Sequence, residues 1–411
     1  MWPRRSSTGA CPVAERERST RTIAFLLAGM AALGPFSIDT YLPSFHDIGQ
    51  NLKATPIEVQ QTLSVYLLAF GVMTLWHGAL SDRFGRRRVI LVALALFGAA
   101  SAGCAFATSI EQLWLWRGLQ GMTAGAGMVV TRAIVRDLFD GPPAQRLIAQ
   151  ITMMFALAPA IAPVIGGWLQ TWFGWRAVFA FLVLSTATLW IACWKLLPET
   201  LPPEKRQSLH PGYLGRAYWN VLTSPPFLLA SGALSLNFAG FFVYVLSAPV
   251  FLLDHLGVSE TSFLWLFGPA MGGLMLGSGL AGRLAGRRSP AATVKLGHGV
   301  MAVAALFNVG LNLILPASLP WSVAPLFLYT LGMSLAMPNL TLFALDPFPD
   351  NRGMAASCQT FMQSGFNSLV AAAIAPAVWG STLSLALAMT GFLVLGSASA
   401  LLYRRSILLP G

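Results

Sequence analysis

The sequence predicts an all-α polytopic membrane protein, and three observations carry that reading. Of the 411 residues, 55% are apolar and only 10% are Asp, Glu, Lys or Arg, where a soluble domain carries roughly 25% charged residues. Fifty residues without a formal charge separate Lys295 from Asp346, and 51 separate Arg352 from Arg404. As helix, each run is more than twice the ~30 Å hydrocarbon thickness, so each must fold back as two spans. Finally, the basic excess behind the net charge of +11 falls largely on one side of the expected membrane layout. A soluble domain, a disordered chain, a disulfide-stapled secreted domain and a nucleic-acid-binding protein all fit poorly. Cys11, Cys104, Cys193 and Cys358 are far apart, with no metal-binding or redox spacing, and read as small apolar residues.

Taken in order, apolar runs punctuated by Gly, Pro and charge clusters give twelve transmembrane helices. The first, 22–44, follows a basic tail, 1–21, and Pro35 bends it. The second, 57–80, runs into Arg83, Arg86, Arg87 and Arg88, beyond which lie the third, 88–107, and the fourth, 111–135. The fifth, 146–169, holds Pro159 and Pro163, and the sixth, 174–197, ends at the longest polar connection, 198–224. Beyond it come 225–251 and 261–282, the latter followed by Arg283, Arg287 and Arg288. The two uncharged runs require the remaining pairs, 291–314 with 319–343 and 352–378 with 382–403, before a short tail, 404–411. An even count puts both termini on one side. A cytoplasmic N-terminus places 23 of the 26 Lys and Arg residues in the cytoplasm and leaves Lys53, Arg117 and Arg176 toward the outside, as the positive-inside rule requires. The tail has the charge of a signal-peptide head. Cleavage would leave eleven spans and spoil the asymmetry, so the first helix is expected to stay as an anchor.

The connection 198–224 divides the chain into six-helix halves, 22–197 and 225–403. A faint repeat agrees: Gly85-Arg86-Arg87 returns 201 residues later as Gly286-Arg287-Arg288, and Leu42-Pro43 is echoed by Ala248-Pro249. Two related halves with a binding site between them at the bilayer midplane are an architecture of transporters.

After the second span the chain reads Gly78-Ala79-Leu80-Ser81-Asp82-Arg83-Phe84-Gly85-Arg86-Arg87-Arg88. Gly78 permits close helix contact, Gly85 a tight turn, and Asp82 among arginines a charge lock. A basic loop that only sets topology would explain the arginines but not Asp82 or the glycines. The stretch resembles the major facilitator superfamily. That resemblance implies the major facilitator fold, with Asp82 facing the start of span 11 near Gly353 and Arg86 paired with Asp137 at the end of span 4, so that Gly78, Asp82, Arg83, Gly85, Arg86, Arg87 and Asp137 form a cytoplasmic gate. In the second half Arg283 falls where Asp82 would recur, so the duplicate lock is expected to be weak or absent.

Asp39, in Gly34-Pro35-Phe36-Ser37-Ile38-Asp39-Thr40-Tyr41-Leu42-Pro43, is the acid placed well within a span. A membrane carboxylate is costly and by default marks function; burial and a neighbouring cation would tune its protonation. The alternative puts it at the outer water boundary, since it lies 18 residues after Arg21, ~27 Å of helix. Arg117, in Trp116-Arg117-Gly118-Leu119-Gln120-Gly121, has no acid beside it in sequence and either needs a buried partner or snorkels to the outer surface. It resembles the span 4 arginine of the superfamily, which implies a part in proton or substrate coupling, with Arg117 modulating Asp39 as the proton carrier.

Span 5 contains Ala158-Pro159-Ala160-Ile161-Ala162-Pro163-Val164-Ile165-Gly166-Gly167. Its prolines and paired glycines make a bent helix with a close-packing face, which as it stands is compatible with any kinked membrane helix. The stretch resembles the antiporter signature of drug exporters through Pro159, Pro163, Gly166 and Gly167, with Ala162 where that pattern favours glycine. Together these stretches resemble the Bcr/CflA group of drug:proton antiporters, continuously over the first half and more softly over Phe241-Phe242-Val243-Tyr244 and Ser247-Ala248-Pro249. The group implies a bacterial inner-membrane exporter, with chloramphenicol-like or bicyclomycin-like compounds or sulfonamides among substrate types.

A cavity for amphipathic molecules needs apolar walls with a few polar groups. Tyr66, Met153, Met154, Phe155, Asn237, Phe238, Phe241, Tyr244, Gln359, Met362, Gln363 and Asn367 are candidate lining residues, each equally explicable as interhelical packing. The expected function is export of a small amphipathic drug by alternating access driven by inward proton movement; a metabolite exporter on the same fold is the alternative. The histidines are scattered, no His-Glu-x-x-His helix or Gly-x-Ser-x-Gly elbow occurs, and no phosphate-binding Gly-x-x-x-x-Gly-Lys-Ser/Thr loop is present. Neither catalysis nor ATP drive is expected. The expected partners are the small-molecule substrate, protons and membrane lipid, with no cofactor, metal or nucleic acid, and a monomeric state.

Overall fold

The computed structural model describes residues 12–139, 141–206 and 211–408, which fold almost entirely into helices. The first, α1 (Pro12–Asp39), leads through a tight 3-10 turn, Leu42–Ser44, into α2 (Phe45–Leu52). Then come α3 (Pro56–Phe84), α4 (Arg86–Ala105), α5 (Ile110–Leu138), α6 (Gly141–Phe173) and α7 (Trp175–Leu196). The connection carries α8 (Pro211–Leu222). The remainder is α9 (Pro225–Leu246), α10 (Leu264–Leu284), α11 (Pro290–Ile314), α12 (Ala324–Leu345), α13 (Arg352–Leu369), the single turn α14 (Ala375–Ala377) and α15 (Thr382–Leu408).

Helix starts follow local chemistry. Thr55 caps α3 in a reciprocal box with Glu58, with Pro56 in the first turn, so two backbone donors that the helix leaves unpaired are satisfied. Ser289 caps α11 with a single bond, accepting from the Ala292 amide at 3.3 Å, with Pro290 in the first turn. Gly85 turns the chain between α3 and α4 at φ +95°, and Gly286 takes φ +74° after α10, conformations that disfavour any side chain.

Among the described residues nine segments are long and apolar enough to cross a membrane, one of them Thr22–Leu52, which joins α1 to α2. Helices α5, α6 and α13, of 29, 33 and 18 residues, are not among the nine. Charges along α5 and the polar run Ser-Cys-Gln-Thr in α13 lower their hydropathy; many α6 side chains lie outside the described residues. The protein is an all-α, multi-pass membrane protein.

Several expected elements differ in detail. Span 1 continues helically past 44 to Leu52. Span 7 leaves regular α-helix at Leu246 and re-forms as a wider π-helical segment, Val250–His255, because Pro249 cannot donate to the preceding turn. Span 11 is interrupted by a similar segment, Val370–Ile374. The connection 198–224 is not wholly a polar loop: Val221 is buried with Phe227, Ala344 and Tyr403, and Tyr218 and Leu222 pack against that cluster, which gives α8 an apolar face.

Helix α3 packs on α5, α4 on α5 and α7, and α1 on α5 and α6. Later in the chain α10 packs on α12, α11 on α12 and α15, and α9 on α12, α13 and α15. The two sets meet where α3 lies along α13 and α6 along α10. Small residues set the closest approaches: a methyl at Gly121 would collide with the Tyr66 backbone, and one at Gly127 with that of Met30. Between helices in lipid, such contacts replace the hydrophobic drive available in water.

Candidate functional site

The most completely built polar cluster surrounds Arg117, two turns into α5 and fully buried. Its Nη1 donates to the Ser37 carbonyl at 3.0 Å and to Gln120 Oε1 at 2.5 Å. Its guanidinium carbon lies 4.4 Å from the centre of the Tyr66 ring and 4.8 Å from that of Tyr41. The surrounding groups are themselves held. Ser37 Oγ donates to Tyr66 Oη at 2.7 Å, and Tyr41 Oη shares a 3.0 Å hydrogen bond with Thr62. Gln120 Nε2 donates at 2.8 Å to Ser101, whose hydroxyl donates to the Phe97 carbonyl. Among the described residues no carboxylate pairs with Arg117, and its Nε and Nη2 have no hydrogen-bond partner. Two aromatic faces and two oxygen dipoles stand in for a counter-ion. Burial rules out snorkelling.

Asp39 ends α1 and is 4% exposed. The helical path runs on beyond it to Leu52. No hydrogen bond or ion pair reaches its carboxylate among the described residues. The structure therefore does not join Asp39 to Arg117. The guanidinium takes a backbone carbonyl two residues earlier instead.

Pro159 and Pro163 lie inside α6. Gly166 sits against the Thr40 backbone just beyond Asp39, and Gly167 against the Glu260 backbone before α10. The paired glycines thus bring α6 against both the Asp39 turn and the later set of helices.

A second cluster ties the ends of α3, α4, α5 and α7. Arg86, 7% exposed, bonds Asp82 one turn back and Ser81 Oγ at 2.6 Å, and its Nε lies 3.0 Å from Asp137 Oδ2. Thr200 donates to the same Asp137 oxygen at 2.9 Å, while Glu199 accepts from the backbone amides of Arg86 at 2.9 Å and Leu201 at 3.1 Å. Arg87 Nη2 donates to the Trp194 carbonyl at 2.5 Å, Arg83 lies over its neighbour Phe84, and Gly78 faces Val129 across α5. Asp82 is paired with Arg86; α3 runs antiparallel along α13, with Gln61 donating to the Ala372 carbonyl and Ser368 to that of Ser64, a register that carries the Asp82 end of α3 toward the start of α13.

The expected lining residues that are described take part in several separate contacts. Tyr66 belongs to the Arg117 cluster. Tyr244 Oη accepts from Asn308 at 2.8 Å, and Asn237 Nδ2 lies 3.1 Å from His298 Nε2. Phe238 stacks on Phe242 at 5.3 Å and meets Phe241 edge-on. Gln359 and Asn367 are buried, each with one unpartnered amide atom, and Met362 and Gln363 are half-buried on the same helix. The side chains of Met153, Met154 and Phe155 lie outside the described residues. A cavity of about 370 Å³ lies elsewhere, between α2, the start of α3 and the end of α9, and none of these residues lines it. Buried polar groups between helices find each other before they face a cavity, which is why residue type alone does not mark a lining.

Sequence reasoning passed over Ser37, Tyr41, Ser101, Gln120 and Glu199. The spacing of Arg117 and Gln120, three apart on one helix face, was a usable signal. Nothing local singles out Glu199, whose role depends on the fold.

Among the described residues no group of three or more His, Cys, Asp or Glu side chains is placed to hold a metal ion. A family profile, Major Facilitator Superfamily, matches residues 24–372. The MFS-type transporter YdgK of Bacillus subtilis (strain 168) is 31% identical over 337 residues, 82% of this chain and 84% of its own. A chloramphenicol resistance protein of Pseudomonas aeruginosa is 30% identical over 329 residues, 78% of this chain and 76% of its own. The solved human organic anion transporter MFSD10 (TETRAN) shares the fold, with a TM-score of 0.65 at 18% identity over 95% of this chain and 100% of that one. A profile taking in most of the helices, and relatives aligned over more than three-quarters of the chain, assign it: it belongs to the Major Facilitator Superfamily, whose members are non-catalytic transporters.

Proposed function

We propose that this protein exports small amphipathic drugs in exchange for protons, by alternating access between two six-helix halves, 22–197 and 225–403, as in the Bcr/CflA group it resembles. Its twelve spans lie in a bacterial inner membrane with both termini cytoplasmic, and it acts as a monomer. Asp39 carries the proton and Arg117 fixes the shape of the turn beside it. Asp82, Arg86 and Asp137, with Gly85 and Glu199, brace the cytoplasmic end.

One observation carries the reading: a buried carboxyl group, Asp39, without an ion pair among the described residues, in the middle of an apolar segment. Such a group persists in a membrane only where function requires it, and protonation that changes its charge can bias one conformation over another. The chloramphenicol resistance relative supports a drug as cargo. The test is transport into inside-out vesicles under an imposed pH gradient, screened with labelled chloramphenicol and related compounds. Gradient-driven accumulation is expected, falling at least tenfold in Asp39→Asn with folding retained. Undiminished gradient-driven flux in Asp39→Asn would refute the assignment.

A further inference from the structure

His298 lies about two turns into α11 and is half-buried, and the proton path proposed above makes no use of it. Both of its ring nitrogens are engaged. Nδ1 lies 2.9 Å from the Val294 carbonyl one turn back, and Nε2 lies 3.1 Å from Asn237 Nδ2 of α9. A carbonyl only accepts, so the neutral ring carries its proton on Nδ1 and offers the Nε2 lone pair to the Asn237 amide. Asn237 is fully buried, and its main-chain carbonyl accepts from Tyr329 Oη of α12 at 3.0 Å. Its side-chain oxygen has no hydrogen-bond partner among the described residues. A methyl added to Gly396 of α15 would meet both that oxygen and the Ala233 carbonyl, so two acceptors border the same space.

The Val294 carbonyl, the imidazole, the Asn237 carboxamide and the Ala233 carbonyl together are one proton short of full pairing. With Nδ1 protonated, Asn237 turns its nitrogen to Nε2 and leaves its oxygen on the side of the Ala233 carbonyl. Rotating the amide by half a turn puts its nitrogen there instead and its oxygen against the ring. The single ring proton must then sit on Nε2, and a bare Nδ1 faces the Val294 carbonyl. Each neutral arrangement therefore leaves a buried acceptor unmet. A second ring proton removes the conflict: Nδ1–H meets Val294, Nε2–H meets Asn237 Oδ1, and the amide N–H faces Ala233.

We propose that His298 is a second proton-binding site, which takes a proton from water at Nε2 as the Asn237 carboxamide rotates to accept it and returns the proton when the amide rotates back. Only that N–H bond forms and breaks. No acidic residue occurs on α9, α11, α12 or α15, so no carboxylate traps the proton once bound. Lys295, about one turn away on α11, is exposed. The Tyr329 and Tyr244 hydroxyls are held by the Asn237 carbonyl and by Asn308. Tyr403, Arg404 and Arg405 lie about two turns beyond Gly396 on α15. Because Tyr329 ties Asn237 to α12, the rotation acts where α9, α11 and α12 meet. The site extends the proton-coupled reading above, giving the second half a proton site to set beside Asp39 in the first; protonation of His298 itself does not rest on that reading.

The test is nitrogen NMR of the full chain in lipid nanodiscs, isotopically labelled at histidine and asparagine. The ring signal lost in His298→Gln identifies the site. From about pH 8 to about pH 5 that ring is expected to pass from one protonated nitrogen to two. An asparagine carboxamide signal should move with the same midpoint and stop moving in His298→Gln. Asn237→Leu decides the part of the amide by sign. An amide that only donates to Nε2 favours the neutral ring, and its loss would raise the midpoint. An amide that rotates favours the imidazolium, because a charge-assisted hydrogen bond is roughly twice as strong as a neutral one, and its loss lowers the midpoint. A fall of about half a pH unit or more is expected, roughly threefold in proton affinity. A ring still neutral at about pH 5, a carboxamide signal that never moves, or a midpoint that rises or holds in Asn237→Leu would overturn the site. The carboxamide titration is read in the unaltered chain, so it decides the matter even if Asn237→Leu fails to fold. Asp39→Asn should leave this titration in place whether or not it abolishes export, so the two proton sites fail separately.

Discussion

Gly85 is where backbone geometry and the charged cluster meet, and replacing it by alanine tests both. Gly85 sits at φ +95°, ψ 148°, a region nearly closed to residues with a side chain, so strain alone costs about 1–3 kcal/mol. The added methyl would lie 2.9 Å from the Glu199 carboxyl carbon, closer than contact allows. Glu199 must then move away from the Arg86 and Leu201 amides it accepts from at 2.9 and 3.1 Å. Buried hydrogen bonds to a charged group are worth about 1.5–3 kcal/mol each; Glu199 is exposed, so about half that is a fair share after solvent screening. Strain and lost bonds together give about 2.5–6 kcal/mol. Gly286 supplies the control. It has φ +74° but nothing within 4 Å of an added methyl, so Gly286→Ala bears strain alone, about 1 kcal/mol. In reversible unfolding by SDS in mixed micelles, Gly85→Ala should lose about 2 kcal/mol more than Gly286→Ala, roughly thirtyfold in the folded-to-unfolded ratio. Glu199→Ala should add little in the Gly85→Ala background, because the clash has already displaced it. Equal losses at the two glycines, or full additivity with Glu199→Ala, would refute the account.

Two further outcomes follow from the packing. Arg117→Lys keeps the charge but loses the planar fork that reaches the Ser37 carbonyl, Gln120 and both rings at once; stability should fall by about 1–3 kcal/mol and transport at least tenfold, and wild-type flux in this variant would show that a point charge suffices. Gly121→Ala and Gly166→Ala each push a methyl into a neighbouring backbone, Tyr66 and Thr40 respectively, and should cost about 1–3 kcal/mol in the same unfolding assay, whereas Gly391→Ala, with open space around it, should stay within about 0.5 kcal/mol.

Much of this was legible before any coordinates, and the reason differs by element. Helix existence followed from the uncharged runs, since apolar length is read one residue at a time. The turn at Gly85 followed from residue type, and its counterpart Gly286 adopts positive φ as well. Boundaries were harder at Leu246 and Leu369, where helices widen into π-helical turns rather than stop, because a proline shows only that regular bonding is disturbed. Partners were harder still. Glu199 reaches Arg86 across 113 positions of sequence, and α8 is held by residues as distant as Tyr403. Buried polar partners were least legible: Tyr244 meets Asn308 and Asn237 meets His298, while Gln60, whose amide has no hydrogen-bond partner among the described residues, has no distinguishing mark in the sequence.

The separation of Arg117 from Asp39 bears directly on how a proton could be used. Had the two formed a buried pair, protonating the acid would strand a cation at a cost of several kcal/mol, and proton uptake would be opposed by the site meant to accept it. The guanidinium instead rests on a carbonyl, a carboxamide and two tyrosine rings, all neutral at physiological pH. Asp39 can therefore gain or lose a proton without breaking any contact of Arg117. Communication between them is left to the backbone. Ser37, which supplies the carbonyl, lies within one turn of Asp39, and Pro35 just before it removes a helical hydrogen bond and loosens α1 at that point. A charge change at Asp39 that alters the bend there shifts the Ser37 carbonyl, and with it the position of α1 against α5. The same turn carries Thr40, whose backbone lies against Gly166 of α6, so one turn at the end of α1 connects the carboxyl group to both α5 and α6.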